Sequence, residues 1–265
     1  MKILIIGKNS FLAKNFIKKY SITNQFYYFN LYFSNNYKNF LNNIYKYVNK
    51  KKINHIINFI GNNDNSIFPG SSDEILRDNF SLPVNLVNLF KKKKINFTFF
   101  LSNEIDKIEN SDENTIYALS KFFLFNSLRF ISIKNKISYI KMDTVYGPQD
   151  LNFNRLIPSL MLKIIFKEKK IKINLNQEKK LIYVDQILPL ILKTTKNKRL
   201  INITKVKGKN YNILNLWKNI NKAYHHKNSI LPKSKNFYNF IETLEWYKDN
   251  IWKIKQIIKK HYKVV

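Results

Sequence analysis

Runs of apolar residues, each closed by a glycine or a polar residue, recur along the first 148 residues of the chain. The first run, MKILII, is almost continuously apolar, which is typical of a parallel strand that is buried on both faces. Later runs of the same kind predict four more strands. The five predicted strands span residues 1–6, 26–33, 53–61, 95–102 and 137–148.

The residues between these strands follow the period of an amphipathic helix. In the first such segment, Leu12, Phe16 and Ile17 share one face, and lysines occupy the other. Strands that alternate with helices predict an α/β fold, with a doubly wound parallel sheet that helices cover on both faces. The further predicted helices span residues 37–50, 73–93 with Ser72 as its cap, and 117–133.

The pattern is weaker after residue 150. Residues 156–166 predict a helix, and residues 181–194 predict a short strand that turns into a helix. The tail is mixed in character, with short helical stretches near 212–224 and 249–262. The chain is therefore long enough for one large domain with a smaller lobe.

The chain is strongly basic, with a formal net charge of +30, and such a charge is one signature of nucleic-acid binding. Only four of the 47 basic residues are Arg, although Arg forks are the better phosphate ligands. Asn, Ile, Phe and Tyr are also abundant, and this combination indicates a mutational bias toward AT-rich codons. We therefore do not expect nucleic acid as the partner, but an electropositive surface would attract a polyphosphate ligand.

Three absences narrow the class of protein. The chain has no cysteine, which excludes disulfides and thiolate zinc sites and is consistent with a reducing cytoplasm. No apolar run approaches the ~20 residues of a membrane span, so we expect no membrane partner and interpret MKILII as a strand rather than a signal peptide. His55 lies in a predicted strand, and His225 and His226 lack acidic neighbours, so no metal site is predicted.

One pair of residues suggests a site for proton transfer. Tyr117 and Lys121 stand four residues apart at the start of the last predicted helix of this series, so they share a helix face. A lysine ammonium beside a phenol stabilises the phenolate, which lets the tyrosine exchange a proton near neutral pH. Tyr and Lys are both abundant in this chain, so the pair alone is weak evidence for a catalytic site. Support comes from the residues that close the predicted strands, because parallel sheets bind ligands at the carboxyl ends of their strands. Those residues are Gly7, Asn30, Gly61, Ser102, and Gly147 with Pro148.

Taken in order, the glycine turn, Ser102, YALSK (117–121), VYGP (145–148) and YVDQ (183–186) resemble the extended short-chain dehydrogenase/reductase family, of the NAD-dependent epimerase/dehydratase type. The resemblance covers about residues 1–195 and is closest in character to the nucleotide-sugar 4-keto reductases. It implies a Rossmann-type NAD(P)-binding domain and a small C-terminal substrate-binding lobe. The implied domain comprises residues 1–148 and 181–203, and the implied lobe comprises residues 149–180 and 204–265.

The resemblance also implies catalytic roles. Tyr117 would exchange a proton with a sugar hydroxyl or carbonyl, Lys121 would hold the nicotinamide ribose and favour the phenolate, and Ser102 would hydrogen-bond the reacting oxygen. Asn79 matches an asparagine of the family, but Pro83 would distort its helix, and a solvent-facing Asn explains the match equally well. The implied cofactor is NAD(P)H. Its implied contacts are Gly7, Ser10, Phe11, Leu12, Asn30, Gly61, Tyr117, Lys121 and Pro148.

Three positions depart from the cofactor motif of the family. The GxxGxxG fingerprint is reduced to Gly7, since Ser10 and Ala13 replace the later glycines. The Ser10 hydroxyl would either hydrogen-bond a phosphate or weaken binding at the pyrophosphate. After the second strand, Asn30 replaces the carboxylate typical of NAD-preferring folds, and Lys38 is nearby, so NADP(H) is slightly favoured over NAD(H).

Three further residues bear on the substrate. The 4,6-dehydratases of the family carry an acid where this chain has Asn103, and an amide is a poor proton donor, so a dehydratase is disfavoured. Asn103 instead becomes a candidate substrate contact. Arg155 and Lys180 correspond to positions near the nucleotide diphosphate, where positive charge is appropriate.

The leading hypothesis is reduction of the 4-keto group of a nucleotide-linked deoxysugar, in which Tyr117 protonates the new alkoxide. Two alternatives stay open. One is a C4 epimerase of the same family, and the other is a non-catalytic family member that binds nucleic acid. The resemblance also implies a cytoplasmic homodimer, in which helices at about 74–92 and 117–133 pair as a four-helix bundle.

Overall fold

The computed structural model describes residues 1–29, 37–62, 71–110, 115–130, 135–166, 173–225 and 234–261. The chain forms two compact units. The first unit comprises Met1–Asp143 and Asp185–Lys207, and the second comprises Thr144–Val184 and Gly208–Val265.

The described residues contain nine strands, six of them in one sheet and three in another. In chain order they are β1 (Lys2–Ile6), β2 (Gln25–Phe29), β3 (His55–Asn58), β4 (Asn96–Ser102), β5 (Ile137–Met142), β6 (Thr144–Tyr146), β7 (Glu178–Tyr183), β8 (Ile201–Val206) and β9 (Lys209–Asn212).

Ten α-helices accompany these strands in the same described ranges. In chain order they are α1 (Phe11–Tyr20), α2 (Tyr37–Lys51), α3 (Ser71–Leu76), α4 (Leu82–Leu89), α5 (Ile116–Phe130), α6 (Leu156–Phe166), α7 (Val184–Thr194), α8 (Ile213–His225), α9 (Lys235–Asp249) and α10 (Ile251–His261).

The sheet of the first unit has the strand order β2-β1-β3-β4-β5-β8, and all neighbouring strands run parallel. The prediction of a doubly wound parallel sheet is therefore confirmed. Ile3 to Ile6 of β1 are fully buried, which explains why this strand is apolar on both faces. Because β2 and β3 lie on opposite sides of β1, the winding reverses between β1 and β3, and ligands of such sheets bind at the carboxyl ends of the strands at this point.

One predicted helix is interrupted. The segment 73–93 is divided into α3, a π-helical turn (Arg77–Ser81) and α4. Pro83, in the first turn of α4, has no N–H for the preceding turn. The backbone widens there, and the N–H of Leu82 donates to Arg77 O, five residues back. The distortion expected from Pro83 is thus confirmed, and Asn79 lies inside the widened turn.

The strand predictions need correction. The predicted strand over 137–148 is in fact two strands: β5 joins the six-stranded sheet, whereas β6 pairs with β7 in the second unit. No pattern predicted β8, because this edge strand alternates between half-buried and exposed residues and so lacks a continuous apolar run. The helix α9 was also missed, since the tail has mixed character.

The second unit has its own core around a three-stranded sheet of order β6-β7-β9. Tyr146 and Phe240 stack in this core, with ring centroids 4.3 Å apart. Most side chains of α6 are buried, which explains why its sequence shows no polar face. Within the described ranges, none of the helices has the length and apolar character that crossing a bilayer would require.

Candidate active site

The carboxyl-end edge of the six-stranded sheet gathers several residues that close the predicted strands. Gly7 follows β1, Gly61 follows β3 by three residues, and Ser102 ends β4. Since all strands are parallel, these residues lie along one edge of the sheet, where ligands bind. Asn30, expected at the same edge after β2, lies outside the described residues, so its role stays a prediction.

The turn after β1 requires a glycine. Gly7 has a φ of +82°, a conformation that other residues rarely adopt. A Cβ at this position would also lie 2.9 Å from both Cγ1 and N of Ile60. The one glycine retained from the fingerprint is therefore the one that the backbone cannot replace without strain.

Ser10 is the N-cap of α1. Its N–H donates to Gly7 O at 3.0 Å, and its Oγ accepts from the N–H of Ala13 at 3.3 Å. The hydroxyl that stands in for a glycine thus stabilises the start of the helix. Phe11 and Leu12 follow as half-buried residues of the first turn. The N-terminus of α1 carries a partial positive charge, which suits a phosphate.

Asn79 fixes the backbone that follows β3. Its Nδ2 donates to Asn62 O at 2.6 Å, and its Oδ1 accepts from the N–H of Asn62 at 3.0 Å. The side chain is fully buried, so the alternative of a solvent-facing asparagine is wrong. A Cβ on Gly61 would lie 3.4 Å from this Oδ1 and 3.5 Å from Nζ of Lys121. Asn79, Gly61 and Lys121 therefore meet in one place.

Tyr117 and Lys121 lie in the first two turns of α5. Nζ of Lys121 is 5.9 Å from the centroid of the Tyr117 ring, and the lysine is only 6% exposed. Burial lowers the pKa of Lys121 to about 8, against the opposing effect of the negative charge on Asp78. The ammonium is thus held at low dielectric near the phenol ring, where its charge acts strongly on a neighbouring phenolate.

The segment after Ser102 forms a 3₁₀ helix (Asn103–Asn110). Oγ of Ser102 accepts from the N–H of Glu104 at 3.1 Å, and Nδ2 of Asn103 donates to Val206 O in β8 at 3.2 Å. The carboxylate of Asp106 pairs with the buried ammonium of Lys141 in β5. This ion pair, through its hydrogen bond, holds the pKa of Asp106 below its ordinary value.

Sequence patterns indicate these contacts only in part. Lys141 is a lone charge in the apolar strand ISYIKM, which indicates a buried partner, but nothing in the sequence identifies Asp106 as that partner. The bonds from Asn79 to Asn62, and from Asn103 to Val206, join elements far apart in the chain, so local periodicity could not predict them.

Three predicted site residues, Pro148, Arg155 and Lys180, belong to the second unit. Pro148 follows Gly147, whose φ is +154° and whose Cβ would lie 2.6 Å from Cγ1 of Val184. Lys180 is an exposed residue of β7.

Arg155 is engaged within the second unit. Its Nη1 donates to Oδ2 of Asp150 at 2.6 Å, and its Nη2 donates to Val145 O at 2.7 Å. Asp150 is 2% exposed, and its burial raises the pKa of the carboxyl, although the Arg155 guanidinium opposes this effect. Arg155 therefore neutralises a buried carboxylate, a role that sequence patterns did not suggest.

Two features of the first unit bear on its fit to a dinucleotide. The Gly7 turn leads into the N-terminus of α1, whose backbone N–H groups suit a pyrophosphate. At Gly61 the absence of a side chain leaves the backbone open beside Oδ1 of Asn79 and Nζ of Lys121, and these polar atoms suit a hydroxyl-bearing group such as a ribose. The residues present therefore fit an NAD-type dinucleotide, although one glycine alone remains from the fingerprint.

His55 is buried in β3. Its Nε2 lies 2.8 Å from Oγ1 of Thr98, which lies 2.7 Å from Oγ1 of Thr194. Burial lowers the pKa of His55 to about 3, so the ring is neutral and links β3, β4 and α7. No group of His, Asp and Glu side chains suited to a metal ion occurs in the part of the chain that the structure describes.

Comparison with known proteins identifies similar sequences and folds. Residues 34–213 match the profile of the NAD dependent epimerase/dehydratase family. The comparison with curated protein sequences gives no match.

Several solved structures are similar in fold. Thermotoga maritima UDP-glucose 4-epimerase with UDP-glucose has a TM-score of 0.78 and 14% identity, covering 95% of this chain and 100% of that one. The Bordetella bronchiseptica enzyme WbmF in complex with NAD+ has a TM-score of 0.79 and 14% identity, covering 100% and 97%. Bacillus anthracis dTDP-glucose 4,6-dehydratase in complex with NAD has a TM-score of 0.73 and 14% identity, covering 94% and 97%.

The two kinds of comparison support different statements. At 14% identity the solved structures support the fold alone. The profile covers more than half of the chain and includes Tyr117 and Lys121, but it begins at residue 34, after Gly7 and Ser10. The altered glycine turn therefore lies outside the matched region.

Proposed function

Because the chain belongs to the NAD dependent epimerase/dehydratase family, we propose that it is an NAD(P)H-dependent reductase of the 4-keto group of a nucleotide-linked deoxysugar. The observation that carries this proposal is the Tyr117–Lys121 pair, in which a buried ammonium lies 5.9 Å from the phenol ring. The substrate class is supported by the UDP-glucose in the Thermotoga maritima structure of similar fold.

The proposed chemistry uses Tyr117 as the acid. When bound, the reduced dinucleotide supplies a hydride to the carbonyl carbon. Tyr117 then delivers its proton to the carbonyl oxygen as that oxygen becomes an alkoxide. The positive charge of Lys121 stabilises the phenolate that results. The Ser102 hydroxyl, at the end of β4, is proposed to hydrogen-bond the reacting oxygen.

We propose that the dinucleotide is held at the carboxyl ends of β1 and β3. Gly7, Ser10, Phe11 and Leu12 would meet the pyrophosphate at the start of α1, and Gly61 with Lys121 would meet the nicotinamide ribose. Asn30 and Pro148 remain proposed contacts. The first 63 residues contain no Asp or Glu, so nothing there repels a 2′-phosphate, and we expect NADPH to bind at least as tightly as NADH.

A C4 epimerase is the second candidate, because a solved structure of similar fold is a UDP-glucose 4-epimerase. An epimerase would use the same Tyr117 and Lys121 but would keep its dinucleotide through the reaction cycle. Purified protein that retains stoichiometric oxidised dinucleotide, and that interconverts C4 epimers without added cofactor, would favour the epimerase over the reductase.

A dehydratase is less consistent with the contacts of the site. Elimination of water needs an acid near the tyrosine, and the amide of Asn103 donates to Val206 O instead. Asp106 supplies a carboxylate one 3₁₀ turn later, but its ion pair with Lys141 keeps it ionised and so a poor acid. Protein that releases water from a nucleotide-linked hexose would contradict this assignment.

For the substrate diphosphate we propose Lys180, whose side chain is exposed. Arg155 is a weaker candidate than the sequence suggested, because Asp150 and Val145 accept bonds from both of its terminal nitrogens. If Lys180→Gln raises the KM for the nucleotide sugar and leaves the kcat unchanged, the assignment holds. An unchanged KM would remove Lys180 from the site.

The active form is proposed to be a homodimer in the cytoplasm. Phe123 of α5 is 44% exposed, and its ring contacts that of Phe80 with centroids 6.1 Å apart, so an apolar surface is available for helix pairing. A solution mass of one chain would refute the dimer. Recovery of the protein from outside the cytoplasm on cell fractionation would refute the compartment.

The reductase proposal is tested with purified protein, a nucleoside-diphosphate 4-keto-6-deoxyhexose, and NADPH or NADH. Turnover is followed by the loss of dihydronicotinamide absorbance. Tyr117→Phe should lower kcat by about a hundredfold or more while the Kd for the dinucleotide stays unchanged, because only the proton is lost. Tyr238→Phe, at an exposed position of the second unit, serves as the control. Full turnover by the Tyr117 variant would exclude the mechanism.

A further inference from the structure

The edge of the six-stranded sheet opposite the candidate active site has a surface of its own. Backbone hydrogen bonds join the segments that enter successive strands: Asn54 N–H donates to Lys2 O at 3.2 Å, and Asn96 N–H donates to Asn54 O at 3.0 Å. Phe97 N–H donates to Lys136 O, and Ile137 N–H to Leu200 O, each at 2.8 Å. The entries to β1, β3, β4, β5 and β8 therefore lie side by side, and we call this the amino-end surface.

The amino-end surface is strongly basic. The segments 52–54, 90–95, 135–136 and 195–200, which lead into its strands, contain no Asp or Glu. Among the described residues of the first unit, the acidic residues follow the carboxyl ends of its strands or lie in the helical turns that begin there, except Asp185, which pairs with Lys19 in the last turn of α1 at 3.3 Å. The basic residues of the surface are Lys2, Lys52, Lys91, Lys92, Lys93, Lys94, Lys136, Lys196, Lys198 and Arg199.

Contacts bring the two lysine runs of the sequence together. Nζ of Lys93 donates to Oδ1 of Asn49 in α2 and lies 4.7 Å from the centroid of the Tyr45 ring. The end of α2, with Lys50 and Lys51, is thereby held beside the run that begins at Lys91. Runs 39 residues apart in sequence form one charged area.

The same surface exposes apolar side chains. Ile22 is 95% exposed, Phe130 is 86% exposed and Leu200 is 55% exposed. These are the three most exposed large apolar side chains among the described residues of the first unit. Ile22 stands in the turn between α1 and β2, Phe130 ends α5, and Leu200 precedes β8, so each is at the end where strands begin.

Two simpler explanations cover only part of this pattern. Lysines favour the C-terminal ends of helices, where they offset the helix dipole, but the dipole does not favour exposed Ile22 or Phe130. A codon bias raises lysine along the whole chain, but it does not explain why the segments that lead into these strands contain no acidic residue.

We propose that the amino-end surface docks on an anionic lipid bilayer, with its lysines against the headgroups and Ile22, Phe130 and Leu200 in the interfacial layer. Two of these three side chains, Ile22 and Leu200, are aliphatic and do not stack on bases, which favours lipid over nucleic acid. A second copy of this chain would bring the same positive charge and be repelled. The proposal departs from the sequence-based expectation of no membrane partner. That expectation rested on the lack of a membrane-spanning segment, and peripheral docking does not need one. It is independent of the proposed reaction.

The charge component is tested by flotation of the full chain with vesicles of phosphatidylcholine, with or without phosphatidylserine. We expect binding only to the anionic vesicles and weaker binding at high salt. The triple variant Lys91→Gln, Lys92→Gln, Lys94→Gln should reduce partitioning by about tenfold or more, since each lysine near the membrane contributes separately. Lys218→Gln, Lys235→Gln, Lys253→Gln removes the same charge from exposed positions of the second unit and should leave binding nearly unchanged.

The apolar component is tested with Ile22→Ser, Phe130→Ser against the control Tyr238→Ser, Trp252→Ser, whose residues are exposed in the second unit. The first pair should weaken vesicle binding severalfold and the control should not, with thermal unfolding used to verify that all variants fold. Equal losses of vesicle binding in the variants of the amino-end surface and in the control variants would indicate attraction by the net charge of the whole chain and overturn the proposal. Absence of vesicle binding would also overturn it. Tight binding of a single-stranded RNA would overturn it too, if that binding depends on the lysines of the amino-end surface.

Discussion

At the scale of single residues, Lys121 combines two requirements that oppose each other. In the proposed mechanism its ammonium must stay charged to act on Tyr117, yet the lysine is 6% exposed, and burial lowers its pKa to about 8. The charge of Asp78 offsets only part of this effect. A charged group kept at a desolvated position is typical of functional sites, where local stability is given up for chemistry.

The pH dependence of activity and of stability follows from Lys121. The ordinary pKa of 10.5 falls to about 8 on folding, so the ammonium is present in the folded protein only below about pH 8. We expect kcat/KM to fall as the pH rises through about 8. The buried ammonium also costs stability below that pH, and this cost disappears as the pH rises toward 10.5.

Lys121→Met is the corresponding variant. It should lose turnover and dinucleotide affinity while its thermal midpoint, measured without ligand near neutral pH, rises by a few degrees. The difference in thermal midpoint between Lys121→Met and the unchanged chain should decrease as the pH rises above about 8. Lys218→Met, at an exposed position of α8, should change neither quantity. A Lys121→Met protein that is less stable near neutral pH would show that burial of the ammonium is not costly.

At the scale of elements, Ser10 at the start of α1 stabilises the helix and is expected to weaken binding of the proposed dinucleotide. Ser10 caps the helix through its bond from Ala13 N–H, whereas a glycine there would let the backbone approach a pyrophosphate. The cap suits a helix that must be stable without ligand. The Gly7 turn before it is kept because the backbone there has a φ of +82°.

Ser10→Gly separates these roles. A glycine cap costs only about a few tenths of a kcal/mol relative to serine, so the thermal midpoint should fall slightly, while dinucleotide affinity rises severalfold by fluorescence titration. Ser10→Ala is the control: it should lose about 0.5–2 kcal/mol of stability without any gain in affinity. Weaker binding by Ser10→Gly would indicate that the hydroxyl itself contacts the phosphate.

At the scale of the whole molecule, charge and apolar surface are distributed unevenly. Among the described residues of the first unit, the acidic residues other than Asp185 follow the carboxyl ends of its strands, and the opposite edge of the sheet is basic and exposes Ile22, Phe130 and Leu200. The candidate chemistry and the proposed docking surface therefore occupy opposite edges of one sheet. The net charge of +30 alone gives no information on this uneven distribution of charge.

The proposed dimer gives a prediction at this scale. Phe123→Asp places a charge on the apolar surface of α5, so it should convert a mass of two chains to one in sedimentation equilibrium. Tyr238→Asp, at an exposed position of the second unit, should leave the mass unchanged. A Phe123→Asp protein that still sediments as two chains would exclude this surface as the interface.

The sequence by itself determined the parallel α/β sheet and the spacing of Tyr117 and Lys121, because both follow from local periodicity: apolar runs mark buried strands, and residues four apart share a helix face. Only the tertiary structure decided that the predicted strand over 137–148 is divided between two sheets, and that Asn79 holds Asn62 and faces Gly61. The same is true of the amino-end surface, whose lysine runs are joined by the contact of Lys93 with Asn49. These features depend on contacts between residues far apart in the chain, and such contacts leave no periodic signal in the sequence.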